Sequence, residues 1–123
     1  MSERPLVAVV DDSASVRDSL PDLLKQVGFD VQAFESAEAF LEAGAAERAR
    51  CLILDVGLPG MSGPELQQEL GRQGRTLPII FITAQADTSL KPRLLAAGAV
   101  ACLFKPFSDT ALIEAVEAAV GTR

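Results

Sequence analysis

Polar side chains stand at the ends of four apolar segments in this 123-residue sequence. The segments are short and rich in branched apolar residues, which is typical of strands buried on both faces of a parallel sheet. Ligands of such sheets bind outside the carboxyl ends of the strands, so these groups are well placed for chemistry. They are Asp11 and Asp12 after segment 6–10, Asp55 ending segment 51–55, Thr83 ending segment 78–83 and Lys105 after segment 100–104.

Each of these residues taken alone has an ordinary alternative role, since aspartate after a strand often caps a helix or forms a turn. Five such groups on four strands are harder to explain in that way. Two carboxylates about 4 Å apart repel by roughly 4 kcal/mol at an effective dielectric constant of 20. One lysine cannot offset three acids, whereas a hard cation that prefers oxygen ligands can, and Mg²⁺ is the best candidate. The sequence has no histidine and no converging cysteines, which makes zinc and copper poor candidates.

The same residue types meet the requirements of phosphoryl transfer to a carboxylate. In this interpretation Asp55 is the nucleophile, Thr83 donates a hydrogen bond, and Lys105 and the metal ion neutralise the phosphoryl oxygens. Further hydrogen-bond donors are expected from the backbone N–H groups of Val56, Gly57 and Ala84.

Strand and helix patterns alternate five times, which predicts a parallel sheet with helices on both faces and right-handed crossovers. Ser62 and Glu65 form a capping-box pattern. Pro21 should bend or break the first helix, and Pro92 fits the first turn of a fourth helix that starts late. The predicted strands are 6–10, 31–34 (an edge strand), 51–55, 78–83 and 100–104. The predicted helices begin at Ser13 or Ser15, Ser36, Ser62, Asp87 or Thr88, and Ser108, and end near Gly28, Gly44, Gly71 or Gly74, Gly98 and Gly121.

Length and composition bound the function. The length suits one domain over residues 1–123, and the hydrophobic content of 49% can cover both faces of a sheet. No apolar run is long enough to span a bilayer and no signal peptide is visible, so we expect a cytoplasmic protein without a membrane partner. A net charge of −6 with scattered basic residues argues against nucleic-acid binding by this segment. Cys51 and Cys102 lie in apolar runs and are expected to be buried and unpaired.

These motifs resemble those of two-component response-regulator receiver domains, most closely the FixJ type. The resemblance implies a flavodoxin-like (βα)5 doubly wound sandwich whose parallel five-stranded sheet has the order 2-1-3-4-5. It also implies that Asp55 is the phosphoacceptor, that Asp11, Asp12, Asp55 and the Gly57 carbonyl hold Mg²⁺, that Thr83 is the switch hydroxyl, that Lys105 pairs with the phosphate and that the Lys105–Pro106 peptide is cis. The matching elements are Val9-Val10-Asp11-Asp12, Leu54-Asp55 followed by Leu58-Pro59-Gly60-Met61-Ser62-Gly63, Ile82-Thr83-Ala84, Ala97-Gly98-Ala99 and Lys105-Pro106-Phe107.

One position departs from the family pattern. Three residues before Lys105, such domains usually carry an aromatic switch residue, and this sequence has Cys102 there. The switch is then either damped or carried by another residue such as Phe104 or Phe107, for which plain core packing is the ordinary alternative. Pro92 is a second oddity, at the start of the fourth helix.

The resemblance implies a phospho-accepting switch that catalyses its own phosphorylation and dephosphorylation and is not otherwise an enzyme. A histidine kinase would be the donor, and the face made by the fourth helix, fifth strand and fifth helix would change to control an output such as transcription. A homodimer through that face is compatible with this interpretation. Gly57 and Gln85 flank the expected approach of water and should influence the lifetime of the phosphoryl group.

Three alternatives stay open on the residues alone. Cys102 is compatible with a degenerate receiver that acts as a phosphorylation-independent interaction module. An aspartyl-phosphate phosphatase of the haloacid-dehalogenase kind also uses aspartate and Mg²⁺, but its acids stand two residues apart after the first strand, whereas Asp11 and Asp12 are adjacent. A flavodoxin-like FMN binder would need a hydroxyl-rich phosphate loop at the place that these acids occupy.

Overall fold

The computed structural model describes residues 4–84 and 89–121, in which strands and helices alternate along the chain. The strands within these residues form one parallel sheet in the order β2-β1-β3-β4-β5, which confirms the predicted fold. No helix in this part of the chain is both long and apolar enough to cross a membrane. The strands are β1 Leu6–Val10, β2 Asp30–Phe34, β3 Cys51–Asp55, β4 Ile79–Thr83 and β5 Ala101–Phe104. The helices are α1 Ala14–Gln26, α2 Ala37–Glu42, α3 Gly63–Arg72, α4 Leu90–Ala96 and α5 Asp109–Val120, with a short 3₁₀ helix at Ala45–Glu47.

Two apolar cores cover the two faces of the sheet. Side chains alternate between faces along each strand, so Leu52 and Leu54 of β3 join one core while Cys51 and Ile53 join the other. All residues of β3 and β4 are buried, whereas the edge strand β2 is largely exposed, as its more polar sequence predicts. Each fully buried Leu or Ile side chain contributes roughly 1.5–3 kcal/mol. This burial on both faces holds the ends of the central strands, and the polar residues that follow them, in fixed register.

The predicted helix caps are confirmed at three helices. The hydroxyl of Ser36 accepts the Ala39 N–H, and that of Ser108 accepts the Ala111 N–H. Ser62 and Glu65 complete the capping box at the start of α3. The N-cap of α1 is Ser13, but its hydroxyl makes no cap hydrogen bond.

Pro21 lies inside α1 and does not divide it, so of the predicted bend or break at this residue the break does not occur. Proline removes one helical hydrogen bond, but Leu20 and Leu24 on either side are buried against the sheet and hold the helix together. Pro92 is the third residue of α4 and therefore lies in its first turn, as predicted. The predicted starts at Asp87 or Thr88 lie outside the described residues.

Candidate functional site

The register of the sheet brings the polar strand ends to one edge. Val10 of β1 pairs with Leu54 of β3, so Asp11 and Asp55 follow at the same level. Asp55 pairs with Ile82 of β4, which places Thr83 one residue further along that strand. Thr83 in turn pairs with Phe104 of β5, and Lys105 follows. The parallel register therefore converges the predicted residues from four strands.

Three carboxylates meet at this edge. One side-chain oxygen from each of Asp11, Asp12 and Asp55 lies within 4.8 Å of the other two. Asp11 is fully buried, Asp55 is 7% exposed, and Asp12 is open to solvent. Because buried carboxylates carry a large desolvation cost unless they are paired, this cluster requires positive charge beside it.

Lys105 supplies that charge unequally. Its Nζ lies 3.0 Å from Oδ2 of Asp11 and 3.9 Å from Oδ2 of Asp55. The Lys105 backbone N–H donates to the Thr83 carbonyl at 2.8 Å, which extends the pairing of the last two strands up to the lysine. The Lys105–Pro106 peptide is cis, as the resemblance implies. The ammonium group therefore hydrogen-bonds Asp11 and stands next to Asp55.

Asp11 is held by contacts that the sequence did not indicate. Its Oδ1 accepts the Ser13 N–H at 2.8 Å, and its own N–H donates to the Phe34 carbonyl of β2 at 3.1 Å. The Arg17 guanidinium of α1 donates to the Asp11 carbonyl at 3.0 Å. Asp11 thus binds the amide of the N-cap residue itself, whereas the Ser13 hydroxyl lies 3.0 Å from the Ser15 hydroxyl and makes no cap hydrogen bond.

The Asp55 carboxyl carries a charge that its surroundings disfavour. Burial raises the pKa of Asp55, and the like charge of Asp11 raises it further. The hydrogen bond that its Oδ1 accepts from the Gly57 N–H, at 3.2 Å, and the nearby Lys105 ammonium act in the opposite direction on this pKa. A carboxylate that is poorly solvated yet accessible at the mouth of a cluster is suited to nucleophilic attack.

The backbone donors predicted beside Asp55 differ in availability. The Val56 N–H donates to the Ile82 carbonyl at 3.0 Å and so belongs to the ladder of the sheet. The Gly57 N–H faces the Asp55 carboxylate, and Ala84 is exposed just beyond β4. The geometry thus favours Gly57 and Ala84 over Val56 as donors to a bound anion. Thr83 is 1% exposed. Gln85 lies outside the described residues.

The loop between β3 and α3 is fitted closely to the site. A Cβ at Gly63 would lie 2.5 Å from the Asp55 carbonyl oxygen, so the start of α3 can approach the strand end only with glycine there. The carboxylate of Glu38, on α2, accepts the Met61 N–H at 2.9 Å. Sequence reasoning missed Glu38 and Arg17, because neither carries a periodic or motif signal that links it to the site.

Cys102, at the expected switch position, is 2% exposed on β5 and packs in the same core as Phe81, its register partner. Burial raises the pKa of the Cys102 thiol. Phe107 packs against the other core, and Phe104 is half-buried opposite Thr83. Cys51 is also buried and unpaired, as predicted for both thiols.

The donor set fits a hard divalent cation. All three ligands that cluster here are carboxylates, and among residues 4–84 and 89–121 one ammonium group, that of Lys105, forms ion pairs with the cluster. Mg²⁺ takes oxygen ligands and uses one or two carboxylates together with waters and phosphate oxygens. Asp11, Asp12 and Asp55 would hold such an ion, with the Gly57 carbonyl as the fourth predicted ligand.

Fold and site together define a flavodoxin-like α/β domain with an acidic pocket at the carboxyl edge of its sheet. The chain belongs to the response regulator receiver domain family of two-component signalling, whose sequence model matches residues 7–117. Receiver domains of this family generally bind Mg²⁺ at such an acidic pocket.

The relatives of this chain include transcriptional regulators. Nodulation protein W of Bradyrhizobium diazoefficiens is 45% identical over 96% of this chain and 52% of its own length, and FixJ of Azorhizobium caulinodans is 41% identical over 98% and 57%. The solved structure of FixJ-N has a TM-score of 0.86 at 40% identity, covering 99% of this chain and 98% of that one. The response regulator StyR gives 0.89 at 45% identity, over 96% and 60%. The chain spans about half the length of the curated relatives it matches.

Proposed function

We propose that this domain is a phospho-accepting switch in which Asp55 takes a phosphoryl group from a histidine kinase. The observation that carries the proposal is the convergence of Asp11, Asp12, Asp55 and Lys105 from three strand ends, with Thr83 at the end of a fourth. This arrangement supplies a nucleophile, ligands for a divalent cation and a counter-ion for phosphoryl oxygens.

In the proposed reaction a carboxylate oxygen of Asp55 attacks the phosphorus of the donor. A phosphorus–oxygen bond forms while the phosphorus–nitrogen bond to the phosphohistidine breaks, and the imidazole leaves with the electron pair. A bound Mg²⁺ ion would neutralise charge on the phosphoryl oxygens. Oδ2 is the attacking oxygen that the contacts favour, because it faces Lys105 while Oδ1 accepts the Gly57 N–H.

The product would change the hydrogen bonding of the strand ends. Lys105 would contact the new phosphoryl oxygens, and Gly57 and Ala84 would donate their N–H groups to them. Thr83, next to the site on β4, would turn its hydroxyl toward the same oxygens. We propose that this movement remodels the face of α4, β5 and α5, as a shift between two populations of the domain.

Chemical phosphorylation tests the first step. The protein is incubated with Mg²⁺ and acetyl phosphate or phosphoramidate and its intact mass is measured. We expect one phosphate adduct on the wild type, none on Asp55→Asn, and an unchanged adduct on Asp22→Asn, which alters an exposed aspartate of α1. An adduct that survives Asp55→Asn, or a wild type without one, would refute the assignment.

Cys102 favours a second candidate, a receiver that binds partners without a phosphorylation-dependent change. Hydrogen exchange of α4 and β5 with and without beryllofluoride and Mg²⁺ separates the two. The switch predicts altered exchange across this face, whereas the interaction module predicts the same exchange in both states.

Leu95 and Val100 are exposed apolar side chains at the end of α4 and the approach to β5, so we also propose this face for a homodimer. Sedimentation velocity of the beryllofluoride form tests that assembly.

A further inference from the structure

A contact between distant parts of the sequence fixes the middle of the β3–α3 loop. Oε2 of Glu38, in the first turn of α2, accepts the Met61 N–H at 2.9 Å across 23 positions of sequence. This hydrogen bond lowers the pKa of the Glu38 carboxyl. The N-terminus of α2 is capped by the Ser36 hydroxyl, which accepts the Ala39 N–H. The Glu38 side chain does not take part in this cap and instead contacts the loop.

The remaining polar anchors of the loop lie at its two ends. At the start, the Gly57 N–H binds the Asp55 carboxylate; at the finish, Ser62 enters the capping box and the Gly63 N–H donates to the Val56 carbonyl. Between these two ends, the loop is held by one side chain from another helix among the described residues. That side chain is Glu38 of α2, whose carboxylate accepts the Met61 N–H.

Gly60 shows how closely the carboxylate and the loop approach each other. Its φ angle is +73°, a left-handed conformation that glycine adopts at little cost. A Cβ at this residue would lie 2.7 Å from Oε2 of Glu38. Glycine at position 60 therefore allows the left-handed turn of the loop. Because it has no Cβ, it also leaves space for the Glu38 carboxylate beside the backbone.

We infer that Glu38 is a positioning residue for phosphorylation of Asp55. Its hydrogen bond to the Met61 N–H fixes the β3–α3 loop and thereby the position of Gly57 beside the acid cluster. The inference rests on the proposed function, in which Gly57 offers its carbonyl to the cation and its N–H to the phosphoryl group. Glu38 itself touches neither. Losing the contact should leave the fold intact and should make the position of Gly57 less defined.

Three variants isolate this contact. Glu38→Ala removes the acceptor, Glu38→Gln keeps a carbonyl oxygen at the same place, and Glu42→Ala removes a carboxylate from the same helix without touching the loop. Glu42 is exposed, and its side chain makes no hydrogen bond or ion pair within the described part of the chain. Melting curves establish that each variant is folded, and Gly60→Ala serves as a second route to the same disruption if Glu38→Ala does not fold.

The first measurement is hydrogen exchange of the Met61 amide by NMR, which needs no phosphate. We expect Glu38→Ala to exchange this amide about tenfold faster or more, while Glu38→Gln and Glu42→Ala stay near the wild type. The second is the rate of phosphorylation by acetyl phosphate as Mg²⁺ is varied. Glu38→Ala should slow it about three- to tenfold and raise the Mg²⁺ concentration at half-maximal rate, with recovery in Glu38→Gln.

The outcomes separate this inference from the proposed function. If the wild type is phosphorylated and Glu38→Ala matches it in rate and Mg²⁺ dependence, only the positioning role is overturned. If Glu38→Gln is as slow as Glu38→Ala, the hydrogen bond is not the cause and the inference also fails. If the wild type takes no phosphate, the proposed function fails and the positioning role falls with it.

Discussion

Replacing Asp55 with asparagine should stabilise the folded protein in metal-free buffer at neutral pH, although it removes the proposed phosphoacceptor. The Asp55 carboxyl is largely buried beside two other acids, and its pKa is raised by burial and by the charge of Asp11. Asparagine has nearly the same shape and keeps an oxygen that can accept the Gly57 N–H. The substitution therefore removes a charge with little loss of packing.

The magnitude follows from the distances in the cluster. Oxygens within 4.8 Å repel by at least ~3.5 kcal/mol per pair at an effective dielectric constant of 20. Asp55 experiences two such repulsions, from Asp11 and Asp12, against one attraction of about 4 kcal/mol to Lys105 at 3.9 Å. Asp12 is exposed and solvent screens much of this difference. We expect Asp55→Asn to raise the free energy of unfolding by about 1–2 kcal/mol, which corresponds to roughly 3–8 °C in Tm for a domain of this size.

The gain should depend on pH in one direction. A raised pKa means that the folded state of the wild type holds the Asp55 proton more tightly than the unfolded state. Wild-type stability therefore falls as pH rises from the ordinary carboxyl value of about 3.9 through the raised folded value. Asparagine has no such proton, so the advantage of Asp55→Asn appears over that interval, persists above it and is absent below it.

Thermal and urea unfolding followed by circular dichroism, with a chelator present, would measure this effect on both sides of the interval. Asp22→Asn is the matched control, since Asp22 is exposed on α1 and away from the cluster. The reasoning is wrong if Asp55→Asn is no more stable than the wild type at pH 7.5. It is also wrong if the gain is equally large at pH 3.

Three further predictions test other parts of the structure. Mg²⁺ at about ten times its dissociation constant should stabilise the wild type by roughly 1.4 kcal/mol in calorimetry, and Asp12→Ala should reduce this gain; equal melting with and without the ion would contradict it. Ser62→Ala should cost about 1 kcal/mol in urea unfolding by removing the cap of α3, and Ser62→Asp should restore most of it; an unaltered midpoint for the alanine variant would count against the cap. Burial raises the pKa of both cysteine thiols, that of Cys51 to about 12, and both side chains are buried, so alkylation at pH 8 should be slow at both in the native state and fast at both in denaturant; native rates as fast as the denatured ones would contradict this burial.

Most of the fold follows from local patterns in the sequence. The apolar runs predict the bounds of the five strands to within one residue, because strands buried on both faces leave a continuous signal. The uninterrupted α1 could not be predicted, since packing of Leu20 and Leu24 on the sheet overrides the local preference of Pro21. Ser13 is the N-cap of α1, one of the two predicted residues, but its hydroxyl makes no cap hydrogen bond and lies 3.0 Å from the Ser15 hydroxyl, a side-chain choice that the sequence pattern does not contain.

The site was predictable to the extent that strand ends and residue type define it. A parallel sheet must align the ends of neighbouring strands, and this alone indicates that Asp11, Asp55 and Lys105 meet. The sequence does not give the distances between side chains within the cluster. It could not show that the Lys105 ammonium lies 3.0 Å from Asp11 but 3.9 Å from Asp55. It also gave no indication of the Glu38–Met61 contact, which depends on where α2 crosses the sheet rather than on either local pattern.

The Lys105 ammonium lies closer to Asp11 than to Asp55, so it compensates the two carboxylates unequally. A fully buried Asp11 needs the ammonium at 3.0 Å, because an unpaired carboxylate in that position would be strongly disfavoured. Asp55 therefore keeps an incompletely compensated charge, and burial and the like charge of Asp11 raise its pKa. In the proposed function this carboxylate is the nucleophile. A phosphoryl group on Asp55 would add negative charge close to the same ammonium and draw it away from Asp11. Asp11 would then depend on the bound cation, so in the proposed function phosphorylation and metal binding should each strengthen the other.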